Sequence, residues 1–253
     1  MNQVQKLSRE ELDELDYFGD IYDSSSIALN KDKKDILRNK EDYKKEIGMI
    51  LLLYKINNDQ LDIDKISKVK EIFSLDKFVS DSFIKMTNNQ SSNIEKILSD
   101  SYRLIYERYG YKVDRYEMSS IVQAVRYGKT LDERLISHNA EIMSKLKKDM
   151  IDFIEGKISI NDINNLIDKR FNEYSYRLDR LVENEIHEKD IEVFRKYAEE
   201  QGATLIKRSA VLDSKTCDKC IELDGKTWVV GTAEGDFWHT HVKCRCHFFV
   251  VEK

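Results

Sequence analysis

The sequence contains no proline and only nine glycines in 253 residues. Because proline ends helices and is common in loops, its absence argues against a loop-dominated sandwich or a proline-rich linker and favours long helices. The sequence also lacks an apolar run of about 18 residues, the length that a membrane-spanning helix needs. The longest apolar run extends only from Met49 to Tyr54, and the polar, acidic N-terminal segment predicts no secretory signal peptide.

The composition is 41% hydrophobic and 35% charged, with a formal net charge of -5. The apolar share is large enough to fill a core, so wholesale disorder is not expected. The acidic balance argues against a basic protein that coats nucleic acid. Composition therefore predicts a soluble, intracellular, mainly helical protein.

Apolar residues recur at helical spacing along most of the chain before Gly202, which predicts a helical body. Gly156 is expected to end one helix, and Ser159 with Asp162 to cap the start of the next. The Asp23–Ser26 segment predicts a break or a helix N-cap near the N-terminus. Two of the helical stripes are formed by Ile63, Ile66, Val69, Ile72 and Phe73 and by Leu131, Leu135, Ile142, Leu146, Met150 and Phe153.

The character of the sequence changes after a helix predicted from about Ser175 to Gln201. Strand-forming residues then become frequent, and Asp224–Gly225 is a strong signal for a β-hairpin turn. These features predict a domain boundary near residue 203, followed by a β-rich module of about 50 residues. A module of that size buries too little apolar surface to be stable by burial alone, so a structural metal would help it to fold.

All four cysteines lie in this module, together with a nearby histidine. Cys217 and Cys220 form a Cys-x-x-Cys pair, and His241, Cys244 and Cys246 follow about 20 residues later. In a reducing compartment such a cluster favours a metal site over disulfides, and its ligands and spacing predict tetrahedral Zn²⁺. Five candidates compete for four positions. Either all four cysteines bind, or His241 replaces Cys244 or Cys246.

The sequence does not favour a redox role for the Cys-x-x-Cys pair or metal binding by the other four histidines. A redox Cys-x-x-Cys pair normally belongs to a βαβ pattern, which the sequence does not show. His239 and His247 are interpreted as surface residues or as neighbours of the metal site. His138 and His187 are interpreted as ordinary helix-surface residues without chemistry.

The tail also carries a longer signature. Asp213 precedes the Cys-x-x-Cys pair, Leu-Asp224-Gly225 follows it, and His-x-x-Cys-Arg245-Cys comes near the end. This pattern resembles the C-terminal signature of phage head morphogenesis proteins, the phage Mu F-like minor capsid family. The resemblance implies structural or interaction roles for these four residues.

Two upstream segments extend the resemblance to about half the chain. Gly-Lys-Thr-x-x-x-Arg134 and Arg-x-x-x-Asn-Glu185 resemble helical segments of the same family, in the same order. The resemblance implies a variable helical N-terminal part at 1–125, a helical core at 126–203 and the metal-binding module at 204–253. The expected fold is mainly α (α+β), an elongated helical body with a small C-terminal β-rich, zinc-ribbon-like module.

The resemblance implies a minor head protein of the virion rather than an enzyme. Such a protein would lie in the phage head interior or at the portal vertex, and in the bacterial host cytoplasm during assembly. It would act in head morphogenesis and in DNA packaging or ejection. The implied partners are the phage portal protein, the major capsid or scaffolding protein, and packaged DNA through weak contacts, with no membrane.

A zinc-knuckle, metal-dependent nuclease is the alternative. Asp213, His239 and His241 would then supply the acid, the base or a second metal site. The two interpretations differ in the number of protein ligands. A closed cysteine-rich site indicates a structural metal, whereas an open site that holds water indicates hydrolysis.

Glu185 carries one further hypothesis. It shares a helical stripe with apolar residues, so we expect it to be partly buried. A buried carboxylate needs a partner. The candidate partners are Arg134, Arg177 and Arg180.

Overall fold

The computed structural model describes residues 9–210, 216–232 and 244–252. In chain order, the elements of these residues are α1 (Arg9–Leu53), β1 (Lys55–Asn57), β2 (Gln60–Asp62), α2 (Lys65–Arg108), α3 (Arg115–Val122), α4 (Leu131–Ile154), α5 (Ile160–Glu200), β3 (Leu205–Ser209), α6 (Asp218–Leu223), β4 (Thr227–Val229) and β5 (His247–Glu252).

The predicted fold class is confirmed: the chain is mainly helical, with a small C-terminal sheet and a cysteine cluster. Helices α1, α2 and α5 contain 45, 44 and 41 residues, as a chain without proline permits. In the described ranges, no helix is both long and apolar enough to cross a membrane.

Contacts divide the described residues into two compact units. The first contains residues from 1–28, 97–121 and 180–253, and the second contains residues from 29–96 and 122–179. Each unit is therefore assembled from several stretches of sequence. The three consecutive parts expected from the resemblance remain a prediction.

The core of the second unit is built around Tyr43, which is fully buried. Its ring centroid lies 4.8 Å from that of Phe78 and 5.2 Å from that of Phe171. The Tyr43 hydroxyl donates to the Val79 carbonyl oxygen, 3.4 Å away. The ring is thus packed on several sides, while its polar end still has a partner.

The Gly-Lys-Thr segment forms the turn that starts α4. Gly128 has a φ of 74°, a left-handed conformation that glycine adopts without strain. Thr130 and Glu133 form a capping box, in which each side chain bonds the backbone amide of the other. The buried Arg134 donates to the Lys129 carbonyl at 2.7 Å and so holds the turn against the helix.

The predicted break at Asp23–Ser26 is wrong, because α1 continues through it. Ser25 is buried, and its hydroxyl donates to the Tyr22 carbonyl in the preceding turn at 2.8 Å. This bond satisfies the hydroxyl within the helix, so the tendency of serine to form turns is not expressed.

The predicted boundary between helices near Ser175 is also absent, since α5 is continuous from Ile160 to Glu200. No glycine or proline interrupts this stretch. Its start is as predicted: the Ser159 hydroxyl accepts the Asp162 amide at 3.1 Å and donates to the Asp162 carboxylate at 2.7 Å. Gly156 follows the end of α4 with a φ of 77°.

The C-terminal sheet has the order β4-β3-β5, with β3 antiparallel to both neighbours. The Asp224–Gly225 turn therefore joins α6 to β4, and the predicted hairpin is wrong. Gly225 has a φ of 72° and donates its amide to the Arg208 carbonyl at 2.9 Å. The Asp224 carboxylate accepts the Ala210 amide at 2.8 Å. Both residues hold the turn against the end of β3.

One face of this sheet packs on α5. Ile191, Phe194 and Ala198 of the helix form a buried cluster with Ile206 of β3 and Phe248 of β5. Stacked rings strengthen the contact, with Phe194 and Phe248 centroids 6.0 Å apart and the ring planes 25° from parallel. The β-rich module thus buries apolar surface against a long helix as well as within itself.

Replacing Tyr43 with alanine tests the core of the second unit. We expect the free energy of unfolding to fall by about 3–5 kcal/mol, because a large buried ring is lost and leaves a cavity. Tyr43→Phe is the control, since it removes only the hydroxyl bond, and it should cost about 1 kcal/mol. Urea unfolding followed by circular dichroism measures both. Equal stability of the two variants would contradict the packing described.

Candidate metal centre

Three cysteines meet at one end of the C-terminal sheet. Cys220, Cys244 and Cys246 are buried, and their sulfurs all lie within 4.8 Å of one another. The sulfurs of Cys220 and Cys244 are 3.8 Å apart, far longer than a disulfide bond of about 2.05 Å. Sulfurs bound to one tetrahedral ion at about 2.3 Å are separated by about 3.8 Å. The three thiols are therefore placed as metal ligands are.

Separate elements bring these thiols together. Cys217 precedes α6 as its N-cap residue, and α6 carries Cys220 on its first turn. Cys244 and Cys246 lie just before β5, which pairs with β3. Ala210, which follows β3, packs among the three buried cysteines. The sheet and α6 together bring residues about 25 positions apart in the chain to one point.

Cys217 takes a more peripheral position than the other three. It is half-buried and packs against their cluster, but its sulfur lies outside the compact group of three. Its thiol is one of the hydrogen-bonding neighbours of Cys220. His241, the fifth predicted ligand, lies outside the described residues. The choice among the predicted ligand sets therefore remains a prediction.

Arg208 of β3 places a positive charge against the thiols. Its Nη2 lies 3.3 Å from the Cys220 sulfur and 3.5 Å from the Cys244 sulfur, and the side chain is buried. Burial opposes the charged guanidinium, but the Cys246 hydrogen bond and the negative charge of the thiols raise the pKa of Arg208 overall. The sequence alone did not mark Arg208 as a residue of this site. Side chains alternate between the two faces of a strand, so the alternation along β3 could have predicted that Arg208 points inward.

The thiols share their protons unequally. Burial raises the pKa of Cys220 to about 11. The hydrogen bond between Cys244 and Cys246 lowers the pKa of Cys244 and raises that of Cys246. One thiolate is thus stabilised among thiols that keep their protons. A bound divalent cation would displace those protons, because metal ligation requires thiolates.

The donor set suits a soft or borderline ion. Thiolates select metals such as Zn²⁺ over Mg²⁺ or Ca²⁺, which prefer oxygen ligands. The three close, buried cysteines can therefore hold a metal ion.

The remaining predicted residues of the tail surround this cluster or fall beyond the described ranges. Asp224 and Gly225 form the turn after α6. Arg245 lies between two of the clustered cysteines and is half-buried. Asp213 lies outside the described residues, as does His239 of the nuclease interpretation.

Glu185 on α5 is buried, as its helical stripe indicated. The Tyr102 hydroxyl donates to its carboxylate at 3.3 Å and to its carbonyl at 3.2 Å. Arg177, a predicted partner, instead contacts Glu141 at 2.6 Å, and Arg134 holds the turn before α4. The tyrosine on α2 was not foreseen, because pairings between distant helices leave no local pattern.

The surface interpretation of His187 is wrong, because the residue is buried. His247 is also buried, so the surface alternative is wrong for it, and its role as a neighbour of the metal site stays a prediction. The Nδ1 of His247 donates to the Asp190 carboxylate at 2.8 Å, and its Nε2 lies 3.2 Å from the Tyr109 hydroxyl. His247 also stacks on Phe18 with ring centroids 4.0 Å apart. The burial of His187 could have been predicted from the sequence, because apolar residues lie four and seven positions after it, on the same helix face.

Comparisons of the chain with protein-family models, with curated proteins and with solved structures found no significant match.

Replacing Cys220 with serine tests the metal centre. The variant should lose bound metal, because one of three buried sulfurs is removed, and its C-terminal region should become more sensitive to protease. Elemental analysis and limited proteolysis measure the two effects. Glu222→Ser, at an exposed position of the same helix, should keep both properties of the parent. Full metal content in the Cys220 variant would contradict the ligand assignment.

Metal uptake should release protons, and the apparent affinity should rise with pH. With its pKa near 11, the Cys220 thiol is protonated at pH 7 and must lose its proton to bind. Protons therefore compete with the metal more strongly at low pH. Calorimetry in buffers of different ionisation enthalpy counts the protons, and competition with a chelator at pH 6 and pH 8 measures the affinity. Equal affinities at both pH values would contradict this account.

Proposed function

We propose that the chain binds one Zn²⁺ as a structural ion that closes its C-terminal module. The observation that carries this proposal is the group of three buried cysteine sulfurs within 4.8 Å of one another. Zinc is the usual ion for closed, cysteine-rich sites, where four protein ligands leave no position for water. Such an ion adds directly to the stability of a small module.

We further propose that the chain acts as a minor head protein of a phage, associated with the portal vertex. The support is the resemblance in the tail, since the segments that carry it are those that form the cysteine cluster. Asp224 and Gly225 also have roles that explain their place in the signature, because both brace the turn beside β3. In this role the protein would act in head morphogenesis and in DNA packaging or ejection.

An exposed apolar stripe on α2 supports an interaction role. Ile66, Val69 and Phe73 follow one another at helical spacing, and their exposed fractions are 83%, 70% and 74%. The sequence placed these three residues on one stripe with Ile63 and Ile72; Ile63 is buried and Ile72 is half-buried, whereas the other three lie in solvent. Exposed apolar groups at helical spacing are typical of surfaces that bind another protein. We assign this stripe to the portal protein, with the major capsid or scaffolding protein as further candidates.

Weak contact with packaged DNA remains a secondary part of this proposal. The zinc-knuckle nuclease remains the alternative, and its proposed acid and base residues lie outside the described ranges. The buried cysteine cluster favours the structural role, because hydrolysis would need an open metal position.

Co-expression with a phage portal protein tests the proposed role. We expect the two to purify as a complex, and the double change Val69→Ser and Phe73→Ser to weaken it. Ile136→Ser, at another exposed apolar position on α4, is the matched control and should leave the complex intact. Each variant should keep its metal content and helicity.

Two outcomes would overturn the role. One is failure of the unmodified, metal-loaded chain to bind portal protein or assembled procapsids. The other is metal-dependent cleavage of DNA by the purified chain, abolished by Cys220→Ser, which would favour the nuclease.

A further inference from the structure

We propose that the exposed stripe of α2 binds an acidic amphipathic helix of another protein. The partner helix would lie along α2, with its apolar residues on Ile66, Val69 and Phe73 and its carboxylates beside Lys70 and Lys77. This inference rests on the proposed interaction role and deepens it, because it states the chemistry of the partner. A bilayer surface and a second copy of this chain are the competing occupants.

The first observation is the spacing of the exposed apolar residues. Ile66, Val69 and Phe73 are separated by three and then four positions, which is the a/d spacing of helices that pack side by side. Ile84, also exposed, lies about five turns after Ile66, at the same angle around the helix axis. A narrow seam of this kind suits a single helix, whereas a helix that binds a bilayer surface needs a broader apolar face.

The second observation is that the seam points away from the core. Leu75, Val79 and Met86 are buried, and the helical repeat places them on the side of α2 opposite Ile66. The Val79 carbonyl also accepts the Tyr43 hydroxyl of α1 at 3.4 Å. Packing on the inner side therefore holds α2 with the stripe outward, so a partner would pay little to order this surface.

The third observation is a pair of lysines beside the stripe. Lys70 follows Ile66 by four positions and Lys77 follows Phe73 by four, so each lysine lies next to an apolar residue on the helix surface. Both lysines are exposed, and within the part of the chain that the structure describes neither forms an ion pair. In a chain with a net charge of -5, this flank of α2 is locally basic.

The acidic residues of the same segment do not offset these lysines. The Glu71 carboxylate accepts the Tyr54 hydroxyl at 2.7 Å, and Asp76 pairs with Lys147 of α4. Residues that flank an a/d seam pair with opposite charges on the partner helix and so select the partner. The uncompensated lysines therefore call for glutamate or aspartate beside the apolar residues of the partner.

A second copy of this chain is disfavoured by the same lysines. In a two-fold dimer with the two α2 helices antiparallel, the lysine flank of one copy would face the same flank of the other. Like charges at such positions repel each other and act against the pairing. An acidic helix meets no such repulsion, so the occupant is a different protein.

Binding of designed peptides to the unmodified, metal-loaded chain tests the proposal. Two helix-stapled peptides of about 18 residues, roughly five turns, carry the same leucines at a and d positions and differ only in their flanking residues, glutamate in one and lysine in the other. We expect the acidic peptide to bind about fivefold or more tightly at low salt, and the difference to shrink as salt rises. Fluorescence anisotropy measures both affinities.

Charge reversal then identifies the lysines. Lys70→Glu with Lys77→Glu should reverse the preference, so that the basic peptide binds more tightly. Lys34→Glu with Lys96→Glu makes the same change of net charge at two exposed positions outside the stripe, and this control should keep the preference for the acidic peptide. Phe73→Ser should weaken the binding of both peptides. Circular dichroism checks that each variant keeps its helicity.

Three outcomes would overturn the acidic-helix partner. The first is equal affinity for the two peptides, or binding of neither. The second is binding to phosphatidylserine vesicles that Phe73→Ser abolishes, without peptide binding, since the stripe would then belong to a bilayer surface. The third is a concentration-dependent dimer in sedimentation equilibrium that Phe73→Ser abolishes, which would assign the stripe to a second copy.

Failure of the portal role gives a different result. A chain that binds portal protein through the stripe but binds neither peptide would keep the proposed role and reject the acidic helix. A chain that prefers the acidic peptide but binds no portal protein would keep the acidic helix and reject the role.

Discussion

The C-terminal region depends on how it accommodates three clustered thiols. Their burial disfavours negative charge, whereas the positive charge beside them favours it. Burial favours protonated thiols, yet Arg208 holds a positive charge within 3.5 Å of two sulfurs. Arginine and the hydrogen bond between Cys244 and Cys246 stabilise only part of the negative charge that three thiolates would carry. A bound divalent cation would remove the conflict, because it would replace the protons and neutralise thiolate charge at the same site. The short strands and α6 would then hold the ligands in place.

Helix α5 connects this centre to the rest of the first unit. One of its faces places His187 beside the cysteines and Asp190 against His247, and the following turns pack on the sheet. The small sheet therefore gains stability from a helix outside the region in which its cysteines lie.

A buried cysteine cluster and an exposed apolar stripe on α2 are both consistent with a protein that binds other proteins. Three of the cysteines are buried, and such burial suits an ion that stabilises a fold. The stripe on α2 instead presents apolar groups to solvent in the second unit. In the proposed minor head protein, the first feature would maintain the fold and the second would contact a neighbour in the particle.

The sequence by itself determined the elements whose signals are local. The absence of proline and the apolar periodicity predicted long helices, the Ser159–Asp162 pair marked the start of α5, and cysteine spacing marked the metal centre. Glu185 was expected inside because its neighbours on the helix are apolar. Where local signals misled, packing explains the difference: Ser25 bonds within α1, and the Asp-Gly turn follows a helix because β3 pairs with β4 across α6.

Only the tertiary structure decided which distant residues meet. Tyr102 beside Glu185, Arg208 against the sulfurs and His187 beside Cys244 join positions from different helices and strands. Such pairings depend on how elements dock, and docking is set by the fit of whole surfaces, which no short stretch of sequence encodes. For the same reason the apolar stripe on α2 was visible in the sequence, while its exposure to solvent was not.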